Sequence, residues 1–117
     1  MAADIVNLRA AAIARGNDAL RTSLGFGPVT GGRVVMTRAL AALPPADLAV
    51  ILRAVATFTA FTPANDPYQE HDCATLEAAG QRVIWKIDYY ENDQLEFGAE
   101  DPRTSYRVLT IMLASDY

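Results

Sequence analysis

The residues best suited to acid–base chemistry stand together just past the middle of the chain. His71, the only histidine, lies between Glu70 and Asp72, and Asp88 follows in a later segment. A carboxylate beside an imidazole can fix its tautomer and stabilise its cation, so such a group could work as a general base. One hypothesis is therefore a small hydrolase or another enzyme that uses these four residues.

The local geometry weakens the case for catalysis. Adjacent side chains in an extended segment point to opposite sides, so Glu70 and Asp72 should share a side that His71 does not. A nucleophile would also have to be supplied by a distant part of the fold. We therefore expect His71 to be structural, tying its loop to the sheet, and we favour a protein that is not an enzyme.

A metal site would have to draw on the same stretch of the chain. Structural zinc sites need several histidines or cysteines at close spacing, and this chain has one of each. The loop also lacks the acid spacing and the central glycine of a calcium-binding hand. We predict no metal and no cofactor. A hard-cation site made of carboxylates stays open as an alternative, and its potential ligands are Asp66, Glu70, His71, Asp72 and Asp88.

Acidic residues are concentrated in one part of the sequence. Residues 64–102 contain ten acidic and two basic side chains, whereas the net charge of the whole chain is −4. Such a region repels a nucleic-acid backbone and can attract a basic protein surface. A solvated face that aids solubility is the simpler alternative. Because tyrosine is enriched at protein interfaces, we predict a partner-binding surface of acids and tyrosine. Its residues are Asp88, Tyr90, Glu91, Asp93, Glu96, Glu100 and Asp101.

Length and composition are those of one domain. The chain has 117 residues, 51 % of them hydrophobic, which is enough for a core without disulfides or metal. A single cysteine, Cys73, cannot form an internal disulfide, and we interpret it as an inert thiol in a cytoplasmic protein. There is neither a basic leader nor an apolar run of about 20 residues, so we expect no secretion and no membrane insertion. Residues 1–117 are expected to form a monomer or a dimer.

Apolar periodicity predicts two helices in the N-terminal half. Residues 4–24 have apolar side chains near one face, and a glycine-rich loop over Gly25–Gly32 follows. A short β-branched strand is expected over Arg33–Thr37. Pro44-Pro45 then opens a second helix that runs to about residue 60. The apolar stripe of this second helix consists of Leu48, Ile51, Leu52, Val55 and Phe58.

Alternating patterns predict a β-hairpin at the start of the C-terminal half. Its strands are expected over Cys73–Ala78 and Arg82–Tyr90, and Ala79-Gly80 joins them. Trp85 lies on the better core face of the second strand, together with Val83, Ile87 and Tyr89.

Two further strands are expected after the hairpin. A short one is predicted over Gln94–Phe97, and a central one, apolar on both faces, over about Tyr106–Ala114. On the outer face of the hairpin, Lys86 can pair with Asp88. The predicted fold class is α+β, with two helices packed on the Trp85 face of a mostly antiparallel sheet of about four to five strands.

Several motifs resemble a small bacterial family of unknown function. They are Asp66-Pro67-Tyr68 followed by Glu70-His71-Asp72, then Trp85-Lys86-Ile87-Asp88-Tyr89-Tyr90, and then Arg107-Val108-Leu109-Thr110-Ile111-Met112-Leu113-Ala114. The likeness covers roughly residues 31–117. The chain differs from the family pattern by Gln69 in place of glycine, Cys73 in place of an aromatic residue, and Asp116 in place of glutamate.

The resemblance implies a genomic setting and no mechanism. The similar family is found mainly in alphaproteobacteria, often on plasmids and other mobile elements, where small acidic proteins are frequently anti-CRISPR or anti-restriction inhibitors. The leading hypothesis is a non-enzymatic acidic protein-interaction module, with such an anti-defence inhibitor that imitates DNA as its sharper form. The enzyme described above is one alternative. A structural or regulatory subunit, dimeric through an exposed sheet edge, is another.

Overall fold

Helices dominate the N-terminal half of the protein and strands the C-terminal half. The structure is a computed structural model that describes residues 2–26 and 31–117, so residues 27–30 of the predicted Gly25–Gly32 loop lie outside it. The elements are helix α1 (Ala2–Ser23), strand β1 (Gly32–Met36), helix α2 (Arg38–Ala41), helix α3 (Pro45–Ala56), and strands β2 (Cys73–Ala78), β3 (Gln81–Tyr90) and β4 (Tyr106–Leu113), with 3-10 turns at Pro102–Thr104 and Ala114–Asp116.

The four strands form one mixed sheet in the order β1-β4-β3-β2. Strand β4 is parallel to β1 and antiparallel to β3, and β3 is antiparallel to β2. The α+β prediction and the central position of the last strand are thus confirmed. Strand β1, expected only as a possible fifth strand, is an edge strand of a four-stranded sheet.

The strand predicted over Gln94–Phe97 is wrong. Leu95 has a φ of 58°, and the Asn92 side chain accepts a hydrogen bond from the Gln94 amide at 2.9 Å. Local side-chain turns of this kind compete with ladder formation. Only an isolated bridge between Tyr90 and Gly98 is formed in this part of the described chain.

The hairpin between β2 and β3 has the predicted turn. Ala79 and Gly80 have φ values of 52° and 72°, which is the left-handed pair of a type I′ turn. That turn matches the twist of the flanking strands. It therefore sets the register from Cys73 opposite Lys86 to Ala78 opposite Gln81.

The core lies between the helices and one face of the sheet. Trp85 is fully buried there, and each helix contributes to the same cluster: Leu20 from α1, Leu40 from α2, and Ile51 with Val55 from α3. This confirms that the helices pack on the Trp85 face. The short helix α2 was not expected, because four residues are too few to show a helical period.

Helix α3 ends at Ala56, earlier than the expected residue 60. Thr57 stands at its C-terminus, and its hydroxyl donates to the carbonyl oxygen of Arg53 at 2.8 Å. Further caps come from another element, because the Arg21 guanidinium donates to the carbonyls of Val55 at 2.8 Å and Ala56 at 3.3 Å. These bonds satisfy carbonyls that a helix end leaves unpaired. No helix among the described residues has the length and apolar character needed to cross a membrane.

Candidate functional site

The segment around His71 is folded, not extended. Gln69 and His71 have φ values of 59° and 54°, so side chains there do not alternate as in a strand. The His71 ring stacks on Phe61 with 3.9 Å between ring centroids. Its Nδ1 lies 3.0 Å from the Asp18 carboxylate, and its Nε2 lies 3.6 Å from that of Asp66. His71 thus links its loop to helix α1, whereas the sequence predicted a link to the sheet.

The buried carboxylate of Asp66 stabilises the loop that contains His71. This carboxylate is only 5 % exposed and accepts the backbone N–H groups of Glu70 at 3.2 Å and His71 at 3.3 Å. A carboxylate that accepts local backbone donors stabilises a turn. With both ring nitrogens facing carboxylates and one ring face covered, the surroundings of His71 are those of a structural residue.

The other candidate catalytic residues lie elsewhere. Asp72 and Asp88 border a cavity of about 570 Å³ along β2, together with Cys73 and Lys86, and His71 is not among its lining residues. Glu70 lines a separate cavity of about 250 Å³ beside α1. The structure therefore brings Asp72 near Asp88 and places His71 and Glu70 in different surroundings.

The cavity along β2 offers little for nucleophilic catalysis. The predicted pairing of Lys86 with Asp88 is confirmed by a 2.7 Å contact between ammonium and carboxylate. Partial desolvation and the neighbouring Asp72 raise the pKa of the Cys73 thiol, which favours its protonated, poorly nucleophilic form. Among the described residues, no cluster of three or more potential ligands could hold a metal ion.

A buried polar network joins α1 to the sheet. The Asn17 amide donates to the Tyr89 hydroxyl at 2.8 Å and to the Glu70 carbonyl at 3.0 Å. Its oxygen accepts from Nε of Arg107 at 2.8 Å, and Nη2 of Arg107 donates to the Pro102 carbonyl at 2.9 Å. Burial raises the pKa of Tyr89 to about 12, so its hydroxyl stays protonated. Tyr89 precedes the next loop and Pro102 ends it, so the network holds both ends of that loop.

Residues 91–101, named here the acidic loop, connect β3 to the turn before β4. Backbone hydrogen bonds close it: the Glu91 amide donates to the Phe97 carbonyl at 2.9 Å, and the Ala99 amide donates to the Tyr89 carbonyl at 3.1 Å. The Arg33 guanidinium donates to the Asp93 carbonyl at 2.8 Å. The loop is thus held in one shape by main-chain bonds and by Arg33. Among its side chains, Asp101 is paired with Arg103, and Asp93 accepts a hydrogen bond from its neighbour Gln94 at 3.1 Å.

Most of the predicted partner-binding acids lie exposed on this loop. Glu91, Asp93, Glu96 and Glu100 are exposed, and none of them forms an ion pair in the described part of the chain. Asp101 differs, because hydrogen bonds from the Arg103 guanidinium and amide lower the pKa of its carboxyl to about 2.

The other two predicted partner-binding residues lie on the sheet. Asp88 and Tyr90 stand on the face opposite Trp85, and Asp88 is already paired with Lys86. The unpaired negative charge is therefore concentrated on the acidic loop.

Sequence reasoning gave no role to Phe97. Its side chain is 64 % exposed in the middle of the acidic loop, between Glu96 and Gly98. The residue was assigned to a strand, where an aromatic side chain would be buried. The sequence does contain a signal for its exposure. Phe97 is a single aromatic residue in an acidic run without apolar–polar alternation, a pattern typical of an exposed loop.

The left-handed backbone of Gln69 gives a stability prediction. Glycine adopts positive φ without steric cost. Gln69→Gly is expected to raise the free energy of unfolding by about 0.5–1 kcal/mol, measured by urea denaturation. Gln94→Gly is the matched control: that loop glutamine is exposed without a positive φ, so its replacement should destabilise. An equal loss in both variants would contradict the assignment.

Asp72 gives a prediction about pH. Burial raises the pKa of its carboxyl above 3.8, so the folded state binds the proton more tightly than the unfolded state. Stability is therefore lost as pH rises from 3.8 through the raised pKa. Asp72→Asn should increase the free energy of unfolding at pH 7, and this gain should vanish below pH 3.8. Glu96→Gln, which alters an exposed carboxylate, should change stability little at either pH. A gain for Asp72→Asn that is equal in acid and at neutral pH would overturn the interpretation.

Comparison with known proteins adds a family. A family model described as "Protein of unknown function (DUF3768)" matches residues 36–116. Among curated proteins and solved structures, none matches the chain significantly. The matched region contains α3, the His71 segment, the acidic loop and three of the four strands.

Proposed function

The chain belongs to DUF3768, a family of proteins of unknown function, and we propose that it is a non-enzymatic protein-interaction module. In this proposal the acidic loop binds a basic surface of a protein partner in the cytoplasm, and residues 1–117 act as one domain. The observation that carries the proposal is the exposed Phe97 in the middle of a preformed loop whose four acids other than Asp101 form no ion pair with the described residues.

The composition of the loop suits recognition. Interfaces are commonly anchored by a few aromatic residues, surrounded by polar groups that exclude water. Phe97 can fill an apolar pocket on a partner, while Glu91, Asp93 and Glu96 surround it with negative charge. Because main-chain bonds already close the loop, little conformational entropy is lost when it binds.

The charge of the loop indicates a class of partner. Proteins that bind nucleic acid display basic grooves, and closely spaced carboxylates can occupy such a groove in place of phosphates. We infer that the partner is a nucleic-acid-binding protein. The mobile-element setting of the family that the sequence resembles makes an anti-restriction or anti-CRISPR role the specific form of this proposal.

The proposal predicts how binding responds to charge. A partner captured from a host lysate would be identified by mass spectrometry, and its affinity measured across a salt series. The triple variant Glu91→Gln, Asp93→Gln, Glu96→Gln is expected to bind about tenfold or more weakly with a shallower salt dependence, because charge pairing drives association. Phe97→Ala is expected to lose a similar factor through its lost anchor.

A matched control separates local charge from total charge. Ala11→Lys, Ala19→Lys and Ala49→Lys, combined, change the net charge by the same amount at exposed helix positions. This variant should keep its affinity. Binding that ignores both salt and the triple glutamine variant would overturn the electrostatic proposal. If nucleic acid does not compete with this protein for the partner, the hypothesis that the protein imitates DNA would be overturned.

A further inference from the structure

Strand β2 presents an unpaired edge. It stands at one end of the sheet order, so only one of its sides is bonded to β3. The amide of Ile87 donates to the carbonyl of Asp72 at 2.7 Å, so the backbone groups of Asp72 and of every second residue after it are bonded to β3. In an antiparallel pair, backbone groups alternate in direction along the strand. The N–H and C=O groups of Cys73, Thr75 and Glu77 therefore point away from the sheet, and all three residues are exposed.

This edge has few of the features that keep sheet edges from pairing, and the charge of Glu77 is one of them. Natural edge strands are usually protected by proline, by lysine, by bulges or by a covering element. The segment Cys73–Ala78 contains neither proline nor lysine, and its register with β3 is continuous over all six residues. The edge is thus a regular template for another strand.

We propose that β2 pairs in antiparallel fashion with β2 of a second copy of this chain, about a twofold axis through Thr75. In this register Thr75 faces its equivalent, and Cys73 faces the second copy's Glu77. Each of the three outward residues then exchanges both backbone hydrogen bonds with its opposite residue. The two four-stranded sheets become one continuous sheet, and the interface is self-complementary, as twofold symmetry requires.

Side chains select this register over its neighbours. An axis through Glu77 would place two carboxylates directly opposite each other, which destabilises a strand pair. An axis through Cys73 would bring in His71, whose φ of 54° is incompatible with a strand. An axis through Ala74 or Leu76 would set Glu77 opposite His71 or Cys73 opposite Ala79, and both opposite residues, His71 and Ala79, have a positive φ. Only the axis through Thr75 pairs all three outward residues of the strand.

The same register matches side chains on both faces of the joined sheet. On the face opposite Trp85, Lys86 stands beside Cys73, so the small thiol separates its ammonium from the second copy's Glu77. On the helix-covered face, Ala74 stands beside the second copy's Leu76, and both residues are apolar and at least half-buried. On one side the second copy's Glu77 thus meets the small thiol of Cys73 and no like charge, and on the other side apolar side chains face each other.

A proline substitution tests the pairing. Thr75→Pro removes an N–H that points to solvent in the monomer, and edge positions of this kind tolerate proline. Sedimentation analysis over micromolar to millimolar concentrations should show a dimer for the wild type and for Thr75→Val, which keeps the N–H. Thr75→Pro should weaken dimerisation about tenfold or more, because each outward residue supplies paired backbone bonds.

Hydrogen exchange on the unmodified chain provides a measurement that does not depend on how the variant folds. Protection of the Cys73, Thr75 and Glu77 amides should rise with protein concentration, while that of the inward Ala74 and Leu76 amides should not. A wild type that remains monomeric throughout, or amides that exchange rapidly at every concentration, would overturn the proposal. The proposal would also be overturned if the β2 amides became protected only when a peptide of another protein was added. Binding through the acidic loop should survive Thr75→Pro, so failure of one proposal leaves the other standing.

Discussion

Replacing Asn17 with alanine is expected to lower the free energy of unfolding by about 2–4 kcal/mol, because buried polar partners lose their hydrogen bonds. The Asn17 side chain is fully buried and serves three groups at once. Without it, the Glu70 carbonyl, the Tyr89 hydroxyl and the Nε–H of Arg107 lose their partner at a part-buried site. Leaving one such group unsatisfied costs about 1–3 kcal/mol, so the combined loss exceeds that of an ordinary substitution.

The measurement is chemical denaturation, with Asn7→Ala as the matched control. Asn7 lies on the same helix but is exposed, so its replacement should change stability by less than about 0.5 kcal/mol. Tyr89→Phe removes one bond of the network and should give an intermediate loss of about 1 kcal/mol. An Asn17→Ala loss no larger than that of the control would show that the network contributes no net stability.

The Asn17 network also bears on the proposed function. It holds Tyr89 and Pro102, the residues that bracket the acidic loop, through Arg107. Loss of Asn17 should therefore increase hydrogen exchange in the loop even where the protein stays folded. A looser loop must be ordered when a partner binds, so affinity should fall together with loop protection.

Replacing Arg21 with alanine is expected to lower the free energy of unfolding by about 3–5 kcal/mol, since it both opens a cavity and breaks buried polar contacts. The Arg21 residue is 2 % exposed, and its guanidinium lies 5.0 Å from the Trp85 ring centroid. It also donates to the last carbonyls of α3 and pairs with Asp18 at 3.0 Å. A single side chain thus joins α1 to the C-terminal end of α3 and to Trp85 of strand β3.

Two variants separate the contributions of Arg21. Arg21→Met keeps much of the packed volume and removes the charge, so it should recover part of the loss. Arg15→Ala alters an exposed arginine of the same helix and should have little effect. The readout is the denaturation midpoint at constant slope. Equal losses for alanine and methionine would show that polar contacts, and not packing, account for the stability.

Local patterns in the sequence determined most of the secondary structure. The hairpin Cys73–Ala78 with Gln81–Tyr90 follows from two-residue alternation and from Ala79-Gly80, which favours a tight turn. The core face of Trp85 and the apolar stripe of α3 follow from periods of 2.0 and 3.6 residues. These features depend on neighbours in the chain, so they can be predicted from the chain alone.

The tertiary structure decided which polar groups meet. Asn17 contacts residues 53, 72 and 90 positions away, and nothing in the sequence around it marks such partners. The same holds for His71, whose partner Asp18 is 53 residues distant, and for Arg21 at the end of α3. Hydrogen bonds between remote residues have no sequence period, because they depend on how whole elements pack.

The proposed contact surface rests partly on the sequence and partly on the tertiary structure. The excess of acidic residues between 64 and 102 was evident from the sequence, since charge is a property of residue type. The folded structure was needed to show that Asp88 and Asp101 are paired. It was also needed to show that Glu91, Asp93 and Glu96 form no ion pair in the described chain, on the loop that exposes Phe97. Composition sets how much charge a protein has, and packing decides which charges remain available to a partner.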